Sequence, residues 1–239
     1  MFSLKDKTVV VTGGGKGIGR GIALALARCG AQVVVSGRDA VALDAAVVAL
    51  QALGVPALAV QSDITLAAGR QRLIADTLAR FGAIHGWINN AGSAAPADGG
   101  PLDSIDEGQW DRVVDLNLKA AFFAAQAAAR ARVGGGSIVN ISSRSASYPN
   151  PGTGHYGAAK AALENLTRTM AAEWGHRGIR VNAVAPGVVM TDELAKTLNT
   201  PERIRRQTDT VPLQRLGTPD DIGPLCAYLV SDESAWTSG

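Results

Sequence analysis

TGGGKGIG, residues 12–19, sets five glycines in eight positions, directly behind the apolar run Val9-Val10-Val11. A chain gives up helix and strand propensity on that scale where something must approach the backbone more closely than side chains permit. The stretch also opens into IGRGIALALARC, residues 18–29, whose apolar spacing suits a helix. Between a strand and a helix, glycines allow a tight turn, admit a pyrophosphate to the backbone N–H groups and bring helix against sheet. The helix then aims its free N–H groups and the positive end of its dipole at the phosphates. Gly13, Gly17 and Gly19 give TGxxxGxG, looser than GxGxxG, and no Lys-Ser/Thr pair follows to hold a triphosphate and Mg²⁺.

Working outward, Val- and Ile-rich runs recur at residues 8–11, 33–35, 57–60, 87–88, 137–141 and 179–185. Helix-like segments separate them at residues 18–29, 40–53, 66–81, 111–132 and 156–174. Near-continuous hydrophobicity marks strands buried on both faces, as in a parallel sheet. The alternation then implies right-handed βαβ units. No linker, low-complexity tract or charge block divides the chain, so residues 1–239 are expected to form a single α/β domain, a doubly wound parallel sheet with helices on both faces. Gly- and Pro-rich stretches at residues 93–103 and 148–154, and an irregular one at 186–211, each follow a strand. They should gather at the rim where such sheets bind ligands. Within the last, TPERIRR reads as a helix with Thr200 at the N-cap and Pro201 at N1.

Composition narrows the function classes. The chain has 239 residues, 46% hydrophobic and 18% charged, which suits one large packed core. A formal charge of +2 offers no footprint for nucleic acid. Cys29 and Cys226 lack CxxC spacing and are expected as reduced core thiols. The three histidines lack ligand spacing, so no metal site is expected. Charges at Lys5, Asp6 and Lys7, and no run of ~18 apolar residues, argue against a signal peptide and a membrane span. A cytoplasmic protein is the expectation.

Tyr156 and Lys160 stand four apart at a helix start and share a face. A tyrosine of pKa ~10 transfers protons poorly at neutral pH unless its phenolate is stabilised. A shift of about three units needs about 4 kcal/mol, for which the Lys160 ammonium together with the positive ring of an oxidised nicotinamide cofactor is a candidate source. Ser143 should end its strand with its hydroxyl on the same rim, placed to hydrogen-bond a carbonyl oxygen.

These motifs resemble the short-chain dehydrogenase/reductase family. The likeness runs through TGxxxGxG, NNAG at residues 89–92, Asn117 in DLNLKAAF, Ser143 in SIVNISS, YGAAK at 156–160 and PGVVMT at 186–191. They stand in the family's order and span nearly the whole chain. The resemblance implies a Rossmann-type fold and an oxidoreductase interconverting a ketone and a secondary alcohol by hydride transfer. It assigns Tyr156 as acid/base, Ser143 as carbonyl binder, Lys160 as Tyr modulator and ribose binder, and Asn117 to a water-linked proton relay. For the cofactor it implies Gly13, Gly15, Lys16, Gly17, Ile18 and Gly19 in the loop, with Ser36 and Arg38 after the second strand. Asp63 should lie by the adenine, Asn90 by the adenosine ribose, and Val189 and Thr191 by the carboxamide, with Ile64, Ala91, Gly92, Pro186 and Gly187 also against the cofactor.

Charge argues for the second phosphate. Ser36 stands where family members using NAD carry an acid, with Arg38 following and Lys16 in the glycine loop; a 2′-phosphate is attracted by cations and repelled by a carboxylate. Asp39 is the rival acid and is expected to cap the next helix. The reading is NADP(H), ahead of NAD(H). The segments PGVVMTDELAKTL and VPLQRLGTPDDI look like both bacterial hydroxysteroid dehydrogenases and 3-oxoacyl-carrier-protein reductases, so the substrate stays open among 3-oxoacyl thioesters, steroids and other small carbonyls. Arg144 could read a carboxylate, with a structural ion pair the weightier reading. His155 is expected to point away from its neighbour Tyr156. The rival class is a catalytically silent nucleotide-binding sensor or interaction protein, which would normally show a broken Ser-Tyr-Lys set; here the set is intact. Resemblance further implies a homo-oligomer, tetramer or dimer, and a final strand beyond Gly239. Without that strand, residues 179–185 are expected as a bare, apolar sheet edge.

Overall fold

The computed structural model describes residues 2–93, 96–132 and 135–239. Its strands are β1 (Thr8–Thr12), β2 (Gln32–Gly37), β3 (Ala57–Gln61), β4 (Gly86–Asn89), β5 (Gly136–Ile141) and β6 (Ile179–Val184). All pair in parallel, in the order β3-β2-β1-β4-β5-β6. The chain winds outward from β1 through β2 and β3, then crosses back to β4 on the other side. The crevice between the carboxyl ends of β1 and β4 is therefore the switch point, where such sheets bind ligands.

Period-two alternation makes two cores from one sheet. Val9, Val11, Val33 and Val35 face one layer, formed with α1 (Gly17–Arg28) and part of α2 (Ala40–Gln51). Val10, Val34, Trp87 and Ile138 face the other, against α3 (Ala67–Phe81), α5 (Ala120–Ala131) and α6 (Gly154–Trp174). Between α3 and α5 lies α4 (Glu107–Val114). The expected helix over 111–132 in fact starts at Glu107, because Asp106 and Gln109 form a reciprocal capping box. It is also interrupted: Asp115–Lys119 form a π-helical turn that carries Asn117. Such turns are rare and favour functional sites.

After β6 come α7 (Asp192–Thr197) and α8 (Pro201–Thr208), the latter capped by Thr200 as expected. The last helix, α9 (Pro219–Val230), was not evident in the sequence because Gly223 and Pro224 lie inside it. Its glycine has a packing reason. A Cβ on Gly223 would lie 2.5 Å from Ala25 Cβ, and one on Gly21 would lie 2.3 Å from Pro219 Cβ, so α1 and α9 meet backbone to backbone. Cys226 is buried in that contact, its thiol pushed up to about 12 by desolvation, while Cys29 is half-buried.

The sheet edge is β6, as expected, but it is not bare. Gly239 N–H donates to the Val181 carbonyl at 2.9 Å, and Val181 N–H donates to Ser238 Oγ at 3.1 Å. Asn182 Nδ2 donates to the Thr237 carbonyl at 2.9 Å. Residues 237–239 thus lie along the middle of β6 and satisfy the backbone N–H and carbonyl of Val181. Among the described residues, no helix is long and apolar enough to cross a membrane.

Candidate active site

The glycine loop is held in shape from β4. Asn90 donates its side-chain amide to the carbonyls of Thr12 (2.9 Å) and Gly13 (3.2 Å), while the backbone N–H groups of Asn90 and Ala91 both donate to Thr12 Oγ1 at 3.0 Å. Asn90 therefore braces the loop, whatever else its carbonyl oxygen does. At Gly19 no side chain could exist: a Cβ would lie 2.2 Å from the Gly13 carbonyl and 2.4 Å from Asn90 Nδ2. Gly13 and Gly17 have φ of +65° and +50°, the left-handed region that glycine adopts freely. A Cβ on Gly17 would meet Thr191 Cγ2 at 3.3 Å, so the segment after β6 closes directly onto the loop. Ile18 turns the other way and packs on the core.

Beside the loop lies a cavity of about 800 Å³. Its wall includes Gly13, Gly15, Lys16, Ser36, Gly37, Arg38, Asp39, Asp63, Ile64, Ala91 and Gly92. This size, together with a glycine cradle at a helix N-terminus, fits a dinucleotide. Asp63 accepts from Thr65 N–H (2.9 Å) and Thr65 Oγ1 (2.7 Å), and those bonds hold its carboxyl below the usual carboxylate range.

At the end of β2 the structure refines the charge argument. Asp39 caps α2 as expected, accepting from Ala42 N–H at 3.1 Å. It also pairs with Lys16, and the bond from that ammonium is the main reason its carboxyl is acidified. Lys16 is thus engaged, though in an exposed pair that contributes little to stability. Arg38 has no carboxylate within ion-pair distance among the described residues. Ser36 lines the cavity, yet is only 1% exposed. Gly37, overlooked in the sequence, is the open position: a Cβ there would meet only Leu43 Cδ2, at 3.8 Å.

The catalytic candidates meet at the same rim. Ser143 follows β5, accepts from Ser145 N–H at 3.1 Å and lies near enough to Tyr156, in the first turn of α6, to lower the pKa of its hydroxyl. A Cβ on Gly157 would lie 2.6 Å from the Ser145 carbonyl, so this glycine lets the helix sit tightly on the Ser143 loop. Lys160 is 4% exposed, donates to the Ile141 carbonyl at 2.8 Å and has Nζ 5.7 Å from the centre of the Tyr156 ring. Asn117 accepts from Ser93 N–H (3.1 Å) and donates to the carbonyls of Ser93 (2.8 Å) and Val113 (2.9 Å). Gly92 lies between the last two side chains: a Cβ there would be 2.7 Å from Asn117 Oδ1 and 3.1 Å from Lys160 Nζ. Pro186 joins the group by accepting from Arg144 N–H at 2.9 Å. These side chains lie outside the wall of the 800 Å³ cavity, which ends at Gly92 and Ser93 on this side.

Of these expectations, the ion pair at Arg144 is not met. Burial raises the Tyr156 pKa, with Ser143 acting against it. Burial also pushes Lys160 down to about 8. In the protein alone burial therefore works against both charged forms, the phenolate and the ammonium, while Lys160 stays protonated at neutral pH. Arg144 forms no ion pair among the described residues and reaches Thr210 Oγ1 at 3.4 Å. His155 is buried and stacked on Trp110, ring centres 6.3 Å apart. Of the expected loop at residues 93–103, Ala94 and Ala95 lie outside the described residues. The loop meets its neighbour through Gly100 N–H, which donates to the Gly152 carbonyl at 2.9 Å.

Comparison with known proteins decides the family. The family description "enoyl-(acyl carrier protein) reductase" matches residues 13–239, and many relatives at this similarity are short-chain dehydrogenases/reductases. The chain belongs to the short-chain dehydrogenase/reductase family. One family member, the short-chain dehydrogenase/reductase FrzI of Cladobotryum sp, is 39% identical over 245 residues, covering 99% of this chain and 93% of its own. A 7α-hydroxysteroid dehydrogenase solved with NADH and 7-oxo glycochenodeoxycholic acid superposes with a TM-score of 0.92 at 35% identity, over 99% of this chain and 91% of that one. A family structure from Beutenbergia cavernae, described as a putative NAD(P)-dependent gluconate 5-dehydrogenase with bound NADP, gives 0.91 at 34% identity, over 99% and 94%.

Proposed function

We propose that this chain is an NADP(H)-dependent oxidoreductase that interconverts a ketone and a secondary alcohol, with Tyr156 as the acid/base. The observation that carries the reading is the gathering of Ser143, Tyr156 and Lys160 at one rim, with Lys160 Nζ against Gly92 next to the glycine cradle. Two hydroxyls aimed at one point can hold a single carbonyl oxygen, and a protonated phenol can give it a proton as charge develops there. Burial keeps Tyr156 protonated at neutral pH, the form that reduction needs. A bound nicotinamide supplies the hydride for reduction and accepts it in oxidation. Gly13, Gly17, Gly19 and the N-terminus of α1 would hold the pyrophosphate, and Lys160 the adjoining ribose. Asn117 fixes Ser93 and, through Gly92, the floor beneath Lys160. The NADP(H) preference is supported by Arg38, which has no carboxylate within ion-pair distance among the described residues, and by Gly37, which puts no side chain of its own into the cavity wall.

Related structures hold NADP in one case and NADH in another, so the cofactor reading rests on these residues. For substrates we infer a 3-oxoacyl thioester, a steroid or another small carbonyl, acted on by a cytoplasmic homo-oligomer. The test follows loss of reduced-nicotinamide absorbance with NADPH and NADH over ketones, 3-oxoacyl thioesters, steroids and sugars. Enoyl thioesters form a separate arm, since the matched family description names C=C reduction. Carbonyl turnover is expected with NADPH; turnover confined to enoyl substrates, or none at all, would overturn the reading.

A further inference from the structure

We propose that Ser142 and Glu164 form a positioning pair that sets Ser143 against Lys160 and Tyr156; the proposal rests on the function argued above. Two elements carry the catalytic groups. Ser143 hangs from the end of β5, whereas Tyr156 and Lys160 belong to α6. Their chemistry depends on the distance between strand and helix at this one point. Glu164 lies one helical turn beyond Lys160, on the same face of α6.

The Ser142 hydroxyl donates to Glu164 Oε1 at 2.6 Å, while its other oxygen neighbour, the Lys160 carbonyl, is at 3.5 Å. A hydroxyl has one proton to give, and the shorter contact takes it. Bonds of this type to a carboxylate are short and about twice as strong as neutral ones. Ser142 is 3% exposed, so without an acceptor its hydroxyl would be stranded in the interior. The adjoining residues are tied in the same way. Ile141 accepts from Lys160 Nζ at 2.8 Å, Ser142 N–H donates to the Val184 carbonyl at 2.7 Å, and Ser143 Oγ accepts from Ser145 N–H at 3.1 Å. Residues 141–143 thus face α6 at successive turns: Ser143 lies by Tyr156, Lys160 bonds Ile141, and Glu164 bonds Ser142. The third contact does no chemistry. It prevents the strand end from sliding along the helix, where a misplacement of ~1 Å can cost ~100-fold in rate.

The test compares Ser142→Ala, Glu164→Ala, their double variant and Glu164→Gln, with Asn165→Ala as a control on the exposed side of α6. Each alanine variant is expected to lower kcat about 10-fold while KM for cofactor and carbonyl stays within about two-fold. The double variant should fall no further than either single, because both remove one bond. Glu164→Gln keeps an oxygen acceptor and should recover most of the loss. Additive losses, or an unchanged kcat in Glu164→Ala, would overturn the pair. A readout independent of turnover is amide hydrogen exchange over residues 143–148, expected to quicken in both alanine variants and not in Glu164→Gln. Unaltered exchange there refutes the clamp even if the wild type turned out to reduce nothing, whereas an inactive wild type with quickened exchange refutes only the proposed function.

Discussion

Replacing Gly37 with Asp should transfer the cofactor preference from NADPH to NADH, and the size of the transfer follows from the site. Gly37 ends β2 in the cavity wall between Ser36 and Arg38, has no positive φ, and a Cβ on it would touch only Leu43 Cδ2. An aspartate therefore fits without strain and adds a carboxylate to the cavity wall beside Arg38, the end of the cavity that the proposed function gives to a 2′-phosphate. Ser36→Asp is the poorer test, because Ser36 is almost fully buried and the charge would be forced into the interior. A phosphate of about −2 at ~5 Å from a carboxylate in a water-like dielectric costs about 1.7 kcal/mol, or ~20-fold in affinity. For NADH, a ribose hydroxyl donating to the new carboxylate returns about 1 kcal/mol, or ~5-fold. The ratio of kcat/KM for the two cofactors should therefore move by ~100-fold. Both constants are measured at saturating carbonyl, at low and high salt; the repulsive part should shrink with salt. A native enzyme with the higher kcat/KM for NADH, or an unmoved ratio in Gly37→Asp, would refute the charge argument.

Tyr156→Phe should abolish turnover while leaving NADPH affinity, read by fluorescence titration, within about three-fold, since it removes only the hydroxyl that transfers the proton. The raised Tyr156 pKa sets the sign of the pH dependence: kcat for ketone reduction should stay level through neutral pH and fall only as pH passes the ordinary tyrosine value of ~10. Alcohol oxidation should instead rise with pH, because it needs the phenolate; the reverse pattern would assign the proton to another group. Deleting residues 237–239 removes the partners of Val181, Asn182 and part of Arg180. A loss of about 2 kcal/mol should lower Tm by ~4–8 °C and promote self-association through β6, both measurable by calorimetry and light scattering.

How much of this could be read from the sequence depended on the range of the interaction involved. The six strands were legible because parallel strands buried on both faces read as Val and Ile runs. The glycine loop was legible because its causes lie within eight residues. Tyr156 and Lys160 were legible because helical spacing places both on one face. What escaped was set by partners far away in the chain. The helix at Pro219–Val230 looks broken by Gly223 and Pro224 until α1 is laid against it, when the glycine becomes the condition for contact. The π turn at Asp115–Lys119 has no periodic signature, though it carries Asn117. Asp39 was identified as a helix cap, yet its second role, holding Lys16, spans the crevice between the glycine loop and the end of β2. The bare edge expected at residues 179–185 failed for the same reason: three residues more than fifty positions later lie along it.

Lys160 shows what the site costs the fold. In an unfolded chain its pKa is the ordinary 10.5; in the folded protein burial pushes it down to about 8. Below pH ~8 both states carry the proton, so the full penalty of about 3 kcal/mol for burying the ammonium is present. Between ~8 and ~10.5 the unfolded chain binds the proton more readily, and stability contributed by this group rises with pH. Its hydrogen bond to the Ile141 carbonyl offsets only part of that penalty. Leucine or methionine at this position would relieve it, so packing alone does not account for a lysine here. Its ammonium is worth the penalty where a negative charge forms, and the Tyr156 phenol beside it can form one. Burial holds that phenol protonated until chemistry calls for its proton, and the destabilised cation is already in place when it leaves.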